Sequence, residues 1–319
     1  MPTTTTTLPR PLPPGPFHAI TWGWTGTRGT WTTPDAQDSM AAMAELGPTW
    51  VVLAYAALQD TAQSTEIHWR EAPALADEEI RAAVTQARTL GLRVCLKPTV
   101  NCADGTWRAH IGFFAEDVPG EPTWDAWFDA YAEYVLHHAA LAEELGVDLF
   151  CIGCEMVRAD ACEERWRRLA AEVRAVYRGP ITYNCDKYQE DRLRWWDAVD
   201  VISSSGYYPT GTWTEHLARI APVVARHDRP FLFIEAGCPS RTGSPHRPND
   251  WSLVGAPDQE AQAAYLDEML TAALGTPWVD GVALWDWPAH LYPAHEAAQN
   301  DDYCMYGKTG AEVVARHFR

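Results

Sequence analysis

Basic residues are scarce in this 319-residue chain: 25 Lys and Arg stand against 43 Asp and Glu, for a formal net charge of -18. Nucleic acid and anionic membrane surfaces are bound through clustered Lys and Arg, so neither is an expected partner, and neutral or cationic ligands fit better. No apolar run approaches the roughly 18 to 20 residues that span a bilayer. The opening MPTTTTTLPRPLPPGP lacks the apolar stretch of an export signal, and residues 1–16 are expected to form a flexible Pro/Thr-rich leader. Cofactor signatures are missing as well. GWTGTRG, after the first apolar run, lacks the spacing of a dinucleotide-binding turn, and there is neither H-E-x-x-H nor a second C-x-x-C beside Cys151 and Cys154. His18 stands alone where a metal-dependent barrel would carry an H-x-H pair, and the adjacent His137 and His138 fall on a helical pattern on which they are not expected to share a face. No metal or organic cofactor is implied.

Eight cysteines are present, and Cys95, Cys151, Cys154, Cys185 and Cys238 lie in or at the ends of apolar runs rather than in loop-rich spacings. That usage points to free thiols, a reducing compartment and a cytoplasmic location. A redox C-x-x-C needs its first thiol at a helix N-terminus; this one lies in a strand-like run and reads as packing.

Apolar runs of strand length recur at 17–23, 50–56, 93–100, 148–156, 180–186, 199–209, 230–238 and 279–288. Segments with helical spacing lie between them. ADEEIRAAVTQARTLG has Asp77 as a candidate N-cap and Gly91 as a stop, and a longer helix is expected from Thr123 to Gly146. Near-continuous apolar strands alternating with helices indicate a parallel sheet covered by helices. Eight such units suggest an α/β fold closed into a (β/α)8 TIM barrel, a single domain over 17–319, with an open doubly wound sheet as the alternative.

Two of these runs end on a carboxylate. FCIGCEM reaches Glu155 on the fourth expected strand, and FLFIEAGC reaches Glu235 on the seventh. Unpaired buried charge is strongly disfavoured, but strand ends of such a barrel open at its catalytic mouth, where the two groups would face each other. That is the pairing glycoside hydrolysis requires: one carboxylic acid protonates the leaving oxygen and one carboxylate attacks or activates water. Tyr207 or Tyr208, at the end of the sixth expected strand, is positioned to donate a hydrogen bond to a carboxylate there. Sugars present apolar C–H faces and hydroxyl edges. Trp22, Trp24, Trp107, Trp285 and Trp287, from 16 tryptophans in all, are aromatic candidates for contact with them. Lys97, Asn101, Arg108, Asn184 and Asp186 are the polar candidates, although Lys97 could instead pair with a carboxylate such as Asp186.

CLKPTVN, DGTWRAHI, FCIGCEM, WRRLAAEVRAVYRGPITYN, WWDAVDVISSSGYYP, PFLFIEAGCPS, LWDW and YGKTGAEVV, in that order, resemble glycoside hydrolase family 113, within the clan of retaining (β/α)8 glycosidases. The resemblance runs from about Trp22 to the C-terminus. It implies Glu155 as general acid/base and Glu235 as nucleophile, separated by roughly 5 to 5.5 Å. It also implies β-1,4-linked mannan or manno-oligosaccharides as substrate. Two positions depart from the pattern: Cys154 stands where many clan members carry Asn before the acid/base, and Thr99 where related sequences often carry His after LKP. These departures bear on which sugar is bound, so another β-linked gluco-, xylo- or amino-sugar oligosaccharide is the alternative substrate. A non-catalytic carbohydrate-binding barrel is the remaining alternative.

Overall fold

Eight short runs rich in Val, Ile, Leu and Phe form parallel strands that pair in chain order and close on themselves. They are β1 (Phe17–Trp22), β2 (Trp50–Gln59), β3 (Arg93–Cys102), β4 (Leu149–Cys154), β5 (Ile181–Cys185), β6 (Val201–Ser205), β7 (Phe231–Ala236) and β8 (Gly281–Trp287), and β8 completes the barrel against β1. The structure, a computed structural model, describes residues 10–24 and 26–319. Around the barrel lie α1 (Pro34–Ala44), α2 (Asp77–Thr89), α3 (Trp124–Glu144), α4 (Glu163–Val176), α5 (Trp213–His227), α6 (Gln259–Leu274) and α7 (Thr309–Phe318). The expected (β/α)8 architecture is therefore present, with one departure. Between β5 and β6 the chain makes a 3-10 turn, Trp196–Ala198, in place of an α-helix. Trp195 and Trp196, both fully buried, fill that gap, and their indole N–H groups donate to the carbonyls of Asp160 (3.1 Å) and Glu190 (2.9 Å).

Inward-pointing residues separate into levels. At the base, Phe17, Trp50, Val52, Leu149, Val201 and Leu232 form an apolar plug, with Leu12 packed against it. Above it the barrel turns polar, with Lys97, Thr182, Asn184, Ser203 and Ser205 all buried. Residues 1–9 of the expected leader lie outside the described residues. Its remainder is tied down: the Arg10 N–H donates to the Arg178 carbonyl (2.7 Å) and Arg93 donates to the Pro14 carbonyl (2.6 Å).

Most tryptophans build the layer between strands and helices. Trp127 stacks on Tyr131 (4.8 Å) and Trp166 on Trp195 (5.1 Å). Gly153 on β4 is required by this layer, since a β-carbon there would lie 2.8 Å from Trp166 and 2.9 Å from Tyr183. Thr123 caps α3 as expected, accepting from the Ala126 N–H at 3.1 Å. Asp77 does not cap α2. The cap position is Ala76, whose N–H is taken by Glu79 (3.1 Å), leaving the Asp77 carboxylate free to turn toward α3.

Candidate active site

Both strands that end on glutamate lose regular pairing there. The β4–β5 register shifts between Cys151 and Cys154, and the β6–β7 register shifts between Ser204 and Ser205. Each irregularity turns a carboxylate into the mouth instead of continuing the pleat. Glu155 also has a left-handed backbone, φ 53°, which costs an L-residue roughly 1–2 kcal/mol and must be held. β5 holds it from both sides. The Glu155 N–H donates to the Asn184 carbonyl (2.8 Å) and the Met156 N–H to the Tyr183 hydroxyl (3.0 Å). Tyr183 in turn donates to Asp160, whose own N–H returns to the Met156 carbonyl at 2.9 Å.

The two carboxylates have different surroundings. Glu235 is an ion-pair partner of the wholly buried Lys97 and accepts from the Tyr207 hydroxyl (3.1 Å) and the Cys154 thiol (3.3 Å). Burial alone would raise its pKa, but the positive charges of Lys97 and then Arg108 outweigh it and hold Glu235 below the usual range. Glu155 accepts from Ser205 (2.7 Å) and Arg108 (3.1 Å). Here burial dominates, the charge of Glu235 adds to it, and the pKa is pushed up despite Arg108. Cys154, Glu155 and Glu235 each bring a thiol or carboxylate atom within 4.8 Å of the others. One carboxyl therefore keeps its proton to higher pH than its neighbour, which suits the first to donate and the second to attack as an anion. Lys97 and Arg108 already supply the positive charge that a metal would bring.

Above the pair opens a pocket of about 550 Å³ lined by Trp24, Trp107, Trp251, Trp285, Tyr207, Asn101, Asn249 and Arg108. Trp24 and Trp285 pack at 5.1 Å, and Trp107 and Trp251 stand at the rim, 43% and 71% exposed. Of the expected contacts, Trp24, Asn101, Trp107, Arg108, Tyr207 and Trp285 line this pocket, and Lys97 pairs with Glu235. The partner of Lys97 is Glu235 rather than Asp186.

Five expected contacts are elsewhere. Trp22 is fully buried against Trp31 (5.0 Å) with its indole N–H on Ser39 (3.2 Å), because its side chain leaves β1 outward. Tyr208 faces away from its neighbour Tyr207, as alternation along extended chain dictates, and donates to the buried Glu190 at 2.6 Å. Asn184 supports the site instead of lining it, donating to Ser205 at 3.0 Å. Asp186 is buried outside the lining, and burial followed by the charge of Glu155 pushes it up to about 7. Trp287 likewise donates to Ser39, 3.1 Å away. Of the two departures noted in sequence, Thr99 bonds the Tyr55 carbonyl (3.1 Å) outside the pocket, whereas Cys154 touches Glu235.

Ser205, Asn249 and Trp251 are site residues that the sequence reading missed. Ser205 closes the SSS run of β6, and RPNDW in the loop after β7 offered an Asn and a Trp with no periodicity to single them out. The histidine pair also corrects an expectation. His137 and His138 turn their rings to one side, with centroids 5.1 Å apart, and Trp69 packs on both while His137 Nε2 meets Asp77 at 2.9 Å. Adjacent helical positions diverge by about 100°, but side-chain torsion brings these rings together. Arg28 and Arg70 line the adjoining groove, so the cluster reads as a hydrogen-bonded pair under an aromatic ring and not as a cation site.

A parallel barrel whose mouth holds two close carboxylates of opposed proton affinity, under a tryptophan-walled pocket, defines a glycosidase-type protein. The sequence pattern of Glycoside Hydrolase Family 113 matches residues 20–308. The chain belongs to this family and is a glycoside hydrolase. A solved family 113 β-1,4-mannanase, in complex, is 48% identical over 95% of this chain and 98% of its own, with a TM-score of 0.94. The family 113 β-mannanase AaManA from Alicyclobacillus acidocaldarius, in complex with ManMIm, is 42% identical over 97% of this chain and 99% of its own, with a TM-score of 0.93. Fungal β-1,4-galactanases, at 16% identity and a TM-score of 0.57, share the fold alone. A comparison with curated proteins finds no match.

Proposed function

We propose that this chain hydrolyses β-1,4-linked mannan or manno-oligosaccharides with retention of anomeric configuration, Glu155 serving as acid/base and Glu235 as nucleophile. The observation that carries the proposal is the carboxylate pair, within 4.8 Å and shifted in opposite directions. Retaining pairs stand roughly 5 to 5.5 Å apart and inverting pairs roughly 6.5 to 9.5 Å, so an oxygen-to-oxygen approach within 4.8 Å supports the retaining arrangement. In the first step a Glu235 oxygen attacks the anomeric carbon as the glycosidic C–O bond breaks, and the leaving oxygen takes the Glu155 proton. In the second step Glu155 removes a proton from water, whose oxygen displaces Glu235. The mannan assignment is supported by the substrate named for relatives at 42 and 48% identity.

A cytoplasmic location is proposed with it, supported by eight cysteines without a disulfide among the described residues. Short imported oligosaccharides are then the natural substrates, because polymer does not enter cells. The test is incubation with manno-, cello- and xylo-oligosaccharides, with products followed by mass and their first-formed anomer by proton NMR. β-configured products from manno-oligosaccharides are expected. α-configured products would overturn retention, and turnover confined to another series would replace the sugar.

A further inference from the structure

A second cavity, of about 530 Å³ and within the size range of small-ligand sites, adjoins the catalytic pocket through shared loops. Residues 105–108 of the loop after β3 line the catalytic pocket, and residues 112–115 of the same loop line the second cavity. The loop after β4 is divided in the same way, with Glu155 facing one and Arg158 the other. Trp124 is a nearly buried part of the wall, and Phe114 stands 58% exposed.

Arg158 is placed with care. Its backbone N–H donates to the Ala109 carbonyl (3.3 Å), and its side chain crosses Gly112 so closely that a β-carbon there would lie 2.9 Å from Cδ. Among the described residues its guanidinium has neither an ion pair nor a hydrogen bond. Among the same described residues Glu121, on the same cavity, has no cationic partner and the Gln63 side-chain amide has no hydrogen bond. An anionic ligand would meet Glu121 and a net charge of -18. A wholly apolar ligand would strip water from Arg158 and Glu121 and leave both unpaired. A neutral pyranose satisfies every group: its C–H face covers Phe114, and its hydroxyls accept from Arg158 and donate to Glu121.

We infer that this cavity is a second carbohydrate-binding site, outside the catalytic pocket, for a segment of the neutral β-linked chain that the enzyme cuts. The inference rests on the glycosidase reading for its class of occupant and not on which sugar is cut. The test is calorimetric titration of the Glu235→Gln chain with mannohexaose, cellohexaose and xylohexaose, repeated with Phe114→Ala and Arg158→Ala added singly and together. Two binding events per chain are expected. Each single substitution should weaken one event roughly three- to tenfold, the size of a lost aromatic or hydrogen-bonding contact, and the pair should remove it. Both side chains are exposed, and hydrolysis of mannotriose by Phe114→Ala with Glu235 restored should equal that of the parent chain, which separates loss of the site from loss of the fold. Dependence on Phe114 and Arg158 with cellohexaose in place of mannohexaose would replace the proposed substrate and leave the second site standing. A single event untouched by both substitutions, or no hexasaccharide bound, would overturn the second site even if turnover of manno-oligosaccharides is confirmed.

Discussion

The ends of β4 and β7 start alike and finish differently. Each is a fully buried apolar strand that breaks register and delivers a glutamate to the mouth. At β7 the carboxylate meets three donors, Lys97, Tyr207 and Cys154, and stays ionised. At β4 it meets Ser205 and one guanidinium, and burial with the negative charge of Glu235 pushes its pKa up. Role is therefore set by what neighbouring strands bring and not by the strand that carries the glutamate. β3, β4 and the segment after β6 serve Glu235, while β5, β6 and the loop after β3 serve Glu155.

The comparison breaks most completely at its negative end. Glu235→Ala should lower kcat at least about 10⁴-fold, in line with the loss of other nucleophiles, while oligosaccharide binding persists. It leaves Lys97 buried without its carboxylate, so the melting temperature should fall, and less so for Glu235→Gln. Unchanged turnover would remove Glu235 from the mechanism. Glu155→Gln comes next. It should cost about 10²- to 10⁴-fold on oligosaccharides and far less on aryl glycosides, whose leaving groups need no proton. Its pH profile should lose the alkaline limb, since that limb records ionisation of a carboxyl whose pKa is raised. An intact alkaline limb would assign the proton donor elsewhere.

Exchanging the surroundings should blur the difference without abolishing it. In Lys97→Met the largest influence holding the Glu235 pKa down is gone, and burial then pushes it up against only Arg108 and the Cys154 thiol. The acid limb of kcat/KM should move to higher pH, with a loss of roughly 10- to 100-fold near neutrality, the range for removing one preorganised charge from a site. A lower plateau with unmoved limbs would make Lys97 a structural prop only.

How much of this contrast was legible in the sequence follows from what sequence patterns encode. Glu155 and Glu235 stood out because a carboxylate at the end of an apolar strand is locally anomalous. Lys97 and Arg108 were legible as polar residues near strand ends, but their partners depend on the barrel closing, which joins residues 138 and 47 positions apart. Tyr207 and Tyr208 are one residue apart, and only the path of the chain beyond β6 decides which one enters the pocket. Trp22 and Trp24 divide similarly, since β1 ends at Trp22 and the chain has turned before Trp24. Trp251 belongs to a loop whose course no periodicity encodes.

The smallest expected effect lies behind the β4 carboxylate, in the group that holds its turn. Asp160 accepts from Tyr183, and Tyr183 fixes the Met156 N–H beside Glu155. Burial pushes the Asp160 carboxyl up to about 7, and the Tyr183 hydrogen bond pulls it only partly back. In the unfolded chain the same group titrates near pH 4. Between about pH 4 and 7 the unfolded chain has therefore released a proton that the folded chain retains, so stability is full below this window and declines as pH rises through it. Asp160→Asn keeps an acceptor for Tyr183 and cannot titrate, so the fall in melting temperature from pH 4.5 to 7.5 should become shallower. Asp186 and Asp286, also pushed up to about 7, and the raised Glu155 retain their share, while the buried His138, pushed down to about 4, works in the opposite direction, so the slope should shift by the Asp160 share alone. An unchanged slope would mean that Asp160 is ionised in the folded chain. The turn at Glu155 would then be held by a charged Tyr183–Asp160 hydrogen bond, and the β4 end would resemble the β7 end more closely than its glutamate suggests.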